Sequence, residues 1–431
     1  MSNRQAVAVA TTAYGGSMQC SYLVTLPAIT MHQNQTAPLT MLAMVASTLI
    51  YALSVVPISV SPIMAGLFAD HLDLSVSEVG WILSIEQAGC VFGALFAFWA
   101  TSRVQWRSLI ILASVVAILA NAVTGSMTGF AAVAMTRFIA GIASNTVTLV
   151  ASCLLARAAE PDRAFGAGLL VSCVINAMWV WLLNTAQQTL GYQATIGLGT
   201  LLFVVSMMLA FFLPRRVGGV QDTWRIEAHA APLALTNPRP ARAGLAGLVL
   251  FGISLNVVWG FLERLGTANG LSGNDIAWAL GIGLLGSGLG ALAPTLLGDA
   301  GNRVRMLFIT TVVLFASLGL TWCSHGVVMF TLSVSLLAGA WNMGLAYYMA
   351  QTSTNDACGR YTRAIYIAIA ASQSIGPGLA AILLGHFSLM SVLVVSPLPA
   401  VIALVFVTVV RRTTESSSTL QKVVKTQDGA W

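Results

Sequence analysis

Long uninterrupted apolar stretches dominate the hydrophobic pattern of the chain. A helix needs roughly 20 apolar residues to cross the hydrocarbon core of a bilayer. Stretches of about that length lie near residues 41–67, 77–100, 108–126, 129–157, 163–187, 193–213, 243–264, 275–297, 304–323, 326–350, 362–384 and 388–410. A transmembrane β-barrel would instead show segments of about ten residues that alternate between apolar and polar. The pattern therefore predicts an all-α membrane protein with twelve transmembrane helices.

Polar segments divide these spans into two groups. The segment 214–242 is rich in Pro and Arg and separates six spans from six. We interpret it as a cytoplasmic linker between an N-terminal six-helix bundle at 41–213 and a C-terminal six-helix bundle at 243–410. Residues 1–40 are interpreted as a flexible cytoplasmic N-terminal extension, and residues 411–431 as a cytoplasmic tail.

Composition and charge fit a protein that faces lipid. Hydrophobic residues make up 57% of the chain and charged residues only 8%, whereas a soluble domain carries about 25% charged residues. Only Arg137 and Arg264 of the 20 basic residues lie outside segments that face the cytoplasm when both termini are cytoplasmic. This positive-inside distribution predicts an inner (plasma) membrane protein of that orientation. It explains the net charge of +6 without a nucleic-acid partner.

The residue types used in catalysis and metal binding are scattered. The six cysteines and five histidines form no recognised ligand spacing. The spans contain no H-E-x-x-H or comparable motif, and the chain has no Walker A sequence. We therefore expect no catalytic residues, no metal and no cofactor, and a protein that is not an enzyme.

The loop after the second predicted span and the loop after the eighth carry related basic motifs. They read Ser102–Arg103–Val104–Gln105–Trp106–Arg107 and Asp299–Ala300–Gly301–Asn302–Arg303–Val304–Arg305. Both resemble the Gly-x-x-x-Asp-Arg-x-Gly-Arg-Arg signature of the major facilitator superfamily, although the first copy lacks the Asp. By this resemblance Arg103, Arg107, Asp299 and Arg303 are the candidate loop-motif residues.

Two further motifs support the same resemblance. Arg137 and Gly141 in the fourth span are similar to an Arg-x-x-x-Gly-x-Gly motif that proton-linked members of the family carry. The sequence Ser374–Ile–Gly376–Pro377–Gly378 in the eleventh span resembles a Gly-Pro bend that is common in the family. The resemblance implies the fold of that family, with two pseudo-symmetric six-helix bundles, and transport of a solute by alternating access.

Ionisable residues inside the spans are the first functional candidates, because each costs about 2.5–3.5 kcal/mol at a helix centre. Glu86 lies about nine residues, or roughly 13 Å, from the outer end of the second span, and Arg137 lies at a similar depth in the fourth. We expect them to form an ion pair. A proton can replace Arg137 as the partner of Glu86, so both are proton-coupling candidates. A static pair that fixes helix packing is the alternative, and the sequence favours neither.

Glu263 and Arg264 are placed near the outer end of the seventh span. We consider them outer-gate candidates. A hydrated Glu–Arg step at the membrane interface is the alternative interpretation.

Amide and aromatic side chains near the midpoints of several spans are candidates to line a substrate cavity. These are Tyr51, Gln87, Asn145, Asn176, Trp179, Asn256, Trp259, Trp341, Asn342 and Gln373. Carriers of this type bind solute at the midplane between their halves, and such side chains suit an organic solute with polar and flat apolar parts. The alternative for each amide is an interhelical hydrogen bond worth about 0.6–2 kcal/mol.

Together these features predict a monomeric, secondary active transporter of a small organic solute that works by alternating access and is coupled to protons. Export of a drug-like compound and proton-linked uptake of an organic acid both fit. A non-coupled facilitator of the same fold is one alternative. A membrane receptor or scaffold that resembles a transporter is another, but it would not need polar residues at the midplane.

Overall fold

A computed structural model describes residues 40–158, 160–214, 238–297, 302–356 and 361–428. Residues 1–39 of the predicted extension, most of the predicted linker and Asp299 lie outside the described residues.

The N-terminal half of the described chain consists of eight helices, which form six spans. They are α1 (Met41–Ser54), α2 (Val56–Ser59), α3 (Ser61–Leu72), α4 (Val76–Ala100), α5 (Trp106–Thr124), α6 (Phe130–Leu155), α7 (Pro161–Thr189) and α8 (Gly191–Ala210).

The C-terminal half contributes a second set of helices, with a 3₁₀ turn at Thr362–Ala364. They are α9 (Arg239–Trp259), α10 (Leu262–Ala268), α11 (Gly273–Leu297), α12 (Arg303–Cys323), α13 (Val327–Ser353), α14 (Ile365–His386), α15 (Ser391–Val395) and α16 (Pro397–Asp428). Across the described residues, twelve helical segments are long and apolar enough to cross a membrane. The predicted all-α fold with twelve spans is confirmed.

The first predicted span, 41–67, is broken into three helices rather than continuous. Each break precedes a proline: Pro57 lies in the first turn of α2, and Pro62 in the first turn of α3. Proline lacks a backbone N–H and clashes with the carbonyl four residues earlier, so a helix tends to end before it. The last of the three helices continues to Leu72, beyond the predicted end.

The seventh predicted span, 243–264, also differs from the structure. Helix α9 ends at Trp259, and the chain breaks at Gly260 and Phe261 before α10 begins. Phe261 is fully buried at the break. Glu263 therefore lies in a separate short helix beyond the span, not at the end of the span itself. The apolar run crosses the break without interruption, which is why the sequence pattern did not reveal it.

Apolar side chains fill most of the interior and also cover much of the outer surface of the spans. Large apolar side chains that are exposed on the spans include Phe98, Leu170, Leu289, Val328 and Leu398. An apolar exterior of this kind is stable against lipid rather than water. The chain is a multi-pass membrane protein.

Among the described residues, the two halves meet mainly where α4 contacts α14, α7 contacts α11 and α3 contacts α10. Following the predicted topology, we call the end with the loops at 73–75, 125–129 and 269–272 the outer end, and the opposite end the inner end. The α4–α14 contact places the second and eleventh spans against each other between the halves.

Candidate functional site

Glu86 of α4 and Arg137 of α6 form an ion pair inside the N-terminal half. Arg137 Nε donates to Glu86 Oε2 at 3.1 Å, and Arg137 Nη2 donates to Glu86 Oε1. Glu86 is 6% exposed and Arg137 is 4% exposed, so the two charges are screened by each other and not by water. Such a two-pronged pair compensates the cost of burying both ions.

Glycines at the α4–α6 crossing allow the two helices to approach closely enough for this pair to form. A Cβ atom at Gly141 would collide with the backbone oxygen of Glu86, and one at Gly89 would collide with that of Phe138. Close approach through small residues is the usual means of packing helices in membranes. The spacing from Arg137 to Gly141 thus has a structural reason, because one residue supplies the charge and the other the clearance.

A third residue, Asn121 of α5, completes the pair, and the sequence analysis did not identify it. Arg137 Nη1 donates to Asn121 Oδ1 at 2.7 Å, and the Asn121 amide donates to the Ala117 carbonyl at 2.9 Å. Asn121 is buried. An amide among the apolar residues of the third span was the available signal, but its partner depends on how α5 is rotated.

Four of the predicted cavity residues line one small cavity between the halves. They are Gln87, Asn256, Trp259 and Gln373. The rest of its lining is formed by Ile58, Ser61, Leu83, Gly260 and Pro377. All nine residues are uncharged. The cavity has a volume of about 10 Å³, which is room for roughly one water molecule.

Hydrogen bonding in this cavity is incomplete. Asn256 Nδ2 donates to the Gly252 carbonyl at 2.8 Å, and Trp259 Nε1 donates to the Ile58 carbonyl of the other half at 3.3 Å. Gln87 Oε1 is buried and has no hydrogen-bond partner in the described structure. A buried acceptor without a donor costs about 1–3 kcal/mol. It can be satisfied by a molecule that enters the cavity.

The other predicted cavity residues lie elsewhere. Asn145 donates to the Cys90 carbonyl at 2.7 Å and Asn342 to the Ser287 carbonyl at 2.9 Å, so each amide joins two helices of one half. Asn176 is buried, and its Oδ1 has no partner among the described residues. The remaining three are aromatic residues packed among the helices: Tyr51, Trp179 and Trp341.

Glu263 and Arg264 join the halves at the outer end. Arg264 Nη2 lies 2.7 Å from Asp70 Oδ1 and donates to the Gly66 carbonyl at 2.6 Å. Arg264 Nε lies 2.9 Å from Glu263 Oε2, but the two atoms are not aligned as a hydrogen bond. Arg264 of the C-terminal half is therefore bound to α3 of the N-terminal half by charge and by one directed hydrogen bond.

Burial changes the acidity of Glu263, whose side chain is 17% exposed. Loss of hydration raises the pKa of the Glu263 carboxyl above its ordinary value, and the nearby Arg264 charge and Thr267 hydroxyl offset this only in part. Keeping Glu263 ionised therefore costs free energy in this conformation, in which the outer end is closed.

Further contacts join the halves between the outer end and the middle of the spans. Ser84 and Ser374 exchange hydrogen bonds between hydroxyl and carbonyl, at 2.8 and 3.0 Å, across the α4–α14 contact. Ser77 donates to the Ala381 carbonyl at 2.8 Å. Asn184 donates to Asn274 at 2.8 Å across the α7–α11 contact. We call these contacts and the Arg264–Asp70 pair the outer seam.

The arginines of the two loop motifs lie at the inner end and make contacts within their own halves. Arg103 donates to the Trp99 carbonyl at 3.1 Å and lies over the Trp99 ring. Arg107 lies over the ring of Phe211. Arg303 donates to the Thr354 hydroxyl. Asp299, the acidic member of the second motif, is outside the described residues.

Sequence comparison identifies the family. The profile of the Major Facilitator Superfamily matches residues 40–372. An uncharacterized MFS-type transporter, YcaD, from Salmonella typhimurium is 25% identical over 347 residues, which are 77% of this chain and 86% of the relative. The protein of the same name from Salmonella typhi has the same identity and coverage.

Solved structures of several transporters have a similar fold. The nucleoside transporter NupG aligns with a TM-score of 0.65 at 14% identity and covers 87% of this chain and 99% of its own. The inward-open xylose transporter XylE from E. coli aligns with a TM-score of 0.65 at 13% identity, and the alignment covers 84% of this chain and 94% of XylE. A bacterial homologue of the human lysosomal transporter Spinster, in an inward-facing and unoccupied conformation, aligns with a TM-score of 0.61 at 15% identity. The alignment covers 86% of this chain and 96% of the homologue. The chain belongs to the major facilitator superfamily of membrane transporters.

Proposed function

We propose that this protein is a secondary active carrier that moves a small, uncharged, polar organic solute together with protons by alternating access. The cavity between the halves is the proposed solute site, and the Glu86–Arg137 pair is the proposed proton site. The inner (plasma) membrane, with both termini cytoplasmic, is the proposed location, and the monomer is the proposed working unit.

The lining of the central cavity carries the proposal for the solute. Three amides and one indole line it, and none of the lining residues bears a charge. A charged solute would lose its hydration there without gaining a counter-ion. An uncharged solute with hydroxyl or N–H groups would donate to the unpartnered Gln87 oxygen, while a flat face would pack on Trp259.

Proteins of similar fold support this class of solute. One is a nucleoside transporter and another a D-xylose–proton symporter, the latter with a TM-score of 0.65 at 14% identity. Nucleosides and pentoses are uncharged molecules with several hydroxyl groups. We therefore favour such a solute over the organic acids and cationic drugs that the sequence also allowed.

Proton coupling is supported by the position of Glu86 next to Gln87 on α4. Consecutive residues of a helix point in directions about 100° apart, so Gln87 faces the cavity while Glu86 faces Arg137. A solute that binds Gln87 acts directly on the helix that holds the proton site. Neutralising Glu86 would release Arg137 to Asn121, the partner that already accepts from it.

Alternating access is supported by the outer seam. Its hydrogen bonds and its ion pair hold the halves together from the outer end to the middle of the spans. We propose that the bundles at 41–213 and 243–410 move as two bodies joined by the linker 214–242, and that the seam opens when the protein faces outward.

The test is proton and solute flux in proteoliposomes that contain a pH-sensitive dye. Nucleosides, pentoses, hexoses, organic acids and cationic drugs would be added separately to wild-type protein, Gln87→Leu and Glu86→Gln. We expect a pH change with an uncharged hydroxylated solute only. It should be lost in Glu86→Gln, and in Gln87→Leu solute uptake should fall about tenfold or more.

Gln351→Leu is the matched control, because Gln351 is as buried as Gln87 but does not line the cavity. It should transport like the wild type. Solute uptake with no proton movement, unaffected by Glu86→Gln, would identify a non-coupled facilitator instead. Uptake restricted to charged compounds would contradict the assignment of the central cavity.

A further inference from the structure

A concavity opens at the outer end of the N-terminal half, away from the cavity between the halves. It has a volume of about 240 Å³. The lining comes from the end of α3, the α5–α6 loop and the start of α8: His71, Leu72, Asp73, residues 125–129, Tyr192 and Gln193. Most of these residues are polar or small, and the volume is large enough for water to enter.

Tyr192 separates this concavity from the interior. Its ring stacks on the exposed His71 ring, with centroids 4.0 Å apart and an angle of 8° between the planes. Tyr192 is 6% exposed, and its hydroxyl is buried without a hydrogen-bond partner in the described structure. Tyrosine hydroxyls that are buried normally find a partner, so this one lacks the molecule that would satisfy it.

The Glu86–Arg137 pair lies about one helical turn below Tyr192. Tyr192 belongs to the same buried cluster as Ile82, Val133 and Ala134. Ile82 lies four residues before Glu86 on α4. On α6, Val133 and Ala134 lie four and three residues before Arg137. Three to four residues of helix correspond to a rise of roughly 5–6 Å at 1.5 Å per residue. Tyr192 borders the concavity, but its hydroxyl oxygen is buried, so the hydroxyl lies on the inner side of the ring.

The stack that covers Tyr192 is joined to the outer seam. Asp70, the partner of Arg264, immediately precedes His71 in the chain. Movement of the end of α3 when the seam opens therefore also moves His71. The charged and titratable groups around this region are Asp70, His71, Asp73 and Glu78 at the surface, with Glu86 and Arg137 below.

We propose that Tyr192 and His71 form a gated route by which protons from the outer side reach Glu86. The inference rests on the proposed proton coupling. When the His71 ring moves aside, water in the concavity reaches the Tyr192 hydroxyl. The phenol oxygen accepts a proton from a hydronium ion in that water while its own proton passes toward the Glu86 carboxylate, so the hydronium becomes water, the carboxylate becomes neutral and Tyr192 is unchanged after each transfer. With the seam closed, the stack keeps water out.

The test follows protonation of Glu86 by infrared spectroscopy after a jump to acid on the outer side of reconstituted vesicles. The carbonyl band of the neutral carboxyl is assigned by its loss in Glu86→Gln. In Tyr192→Phe the ring and its stack remain but the relay hydroxyl is absent, so the band should appear about tenfold more slowly or slower still. In His71→Ala the cover is absent, so it should appear faster than in the wild type.

Tyr348→Phe is the matched control, because Tyr348 lies in the C-terminal half and also has a buried hydroxyl with no hydrogen-bond partner among the described residues. It should protonate Glu86 at the wild-type rate. Equal rates in Tyr192→Phe and Tyr348→Phe would overturn the route and leave proton coupling intact. If the wild-type protein never showed the Glu86 band, both the proposed proton coupling at Glu86 and the proposed route would be contradicted.

Discussion

At the scale of single residues, the buried charges carry the largest energies in the molecule. A paired charge in a low-dielectric interior is stable only while its partner is present, because the cost of removing either ion from water is several kcal/mol. Glu86 and Arg137 satisfy this condition with two direct contacts and the help of Asn121. Under the proposed proton coupling, the same condition would let a proton act as a switch, since adding one removes the charge of Glu86.

Removing the charge of Glu86 or Arg137 alone should therefore lower the free energy of unfolding more than removing both charges together. Arg137→Gln should lower the free energy of unfolding in mixed micelles by about 3–5 kcal/mol, because Glu86 is left buried and unpaired. Combining it with Glu86→Gln should recover more than about 1 kcal/mol of that loss. Arg163→Gln breaks the exposed Arg163–Glu160 pair and should change stability by about 0–1 kcal/mol. Additive effects of the two buried substitutions would show that the pair is not coupled.

Burial of Glu263 should make the stability of the protein depend on pH, in a direction that follows from its raised pKa. Because burial raises the pKa of Glu263, its contribution to stability is fully present below the ordinary glutamate pKa of about 4.3 and is lost as the pH rises through the raised pKa. The melting temperature of Glu263→Gln minus that of the wild type should therefore increase as the pH rises from about 4 to about 8.

The control for this experiment is Glu160→Gln, because Glu160 is on the surface. The gap in melting temperature between that variant and the wild type should vary less with pH than the gap for Glu263→Gln. A gap for Glu263→Gln that narrowed with rising pH would contradict the assigned direction.

At the scale of helices, the contact between α4 and α6 determines where the ion pair can form. The two backbones meet at glycines, and a methyl group at either contact would fall on a backbone oxygen that cannot move away. The charge geometry and the helix crossing therefore depend on each other. A shift of one helix would separate Glu86 from Arg137.

Gly141→Ala should separate these helices and lower the free energy of unfolding by roughly 1–3 kcal/mol, as overpacking does. Gly288→Ala is the control, because a Cβ there meets nothing within 4 Å, and it should leave stability unchanged or raise it by up to about 1 kcal/mol. Thermal and denaturant unfolding in micelles would measure both. Equal effects at the two positions would mean that the α4–α6 contact tolerates expansion.

At the scale of the whole molecule, the outer seam fixes the relative position of the two halves. A Cβ at Gly378 of α14 would lie 3.5 Å from the Ser84 Cβ of α4, within the range of a disulfide. With the six native cysteines replaced by alanine, Ser84→Cys with Gly378→Cys should cross-link on oxidation and stop solute exchange. Reduction should restore it.

A cross-link within one half should have no such effect. A Cβ at Gly286 would lie 3.2 Å from the Ser335 Cβ, and both residues belong to the C-terminal half. The oxidised Gly286→Cys with Ser335→Cys variant should transport at its reduced rate. Transport that persisted with α4 and α14 cross-linked would exclude opening of the seam as a step of the cycle.

Much of this architecture could be predicted from sequence, because lipid imposes simple rules. Long apolar runs gave the twelve spans, and the rarity of charge inside them singled out Glu86 and Arg137. The helix breaks at Pro57 and Pro62 could have been predicted from the two prolines. The break at Gly260 was not, because the apolar run passes through it and the reason for it is the burial of Phe261.

The cavity was predicted only in part, because composition does not determine which way a helix is rotated. Gln87 and Asn256 face the space between the halves, whereas Asn145 and Asn342 donate to carbonyls of neighbouring helices. All four are amides in the membrane, and their sequence surroundings are alike. Asn121 was missed for the same reason, since only its distance from Arg137 distinguishes it.

The small volume of the central cavity affects how binding should be measured. With about 10 Å³ available, this conformation has no room for a nucleoside or a sugar, so a ligand must select a conformation in which the cavity is wider. The apparent dissociation constant then equals the intrinsic one divided by the fraction of molecules in that wider form. If the closed form prevails at rest, titration of the resting protein would report weak binding even to its own substrate. Conditions that shift the population toward the wider form would raise the measured affinity without altering any contact to the ligand.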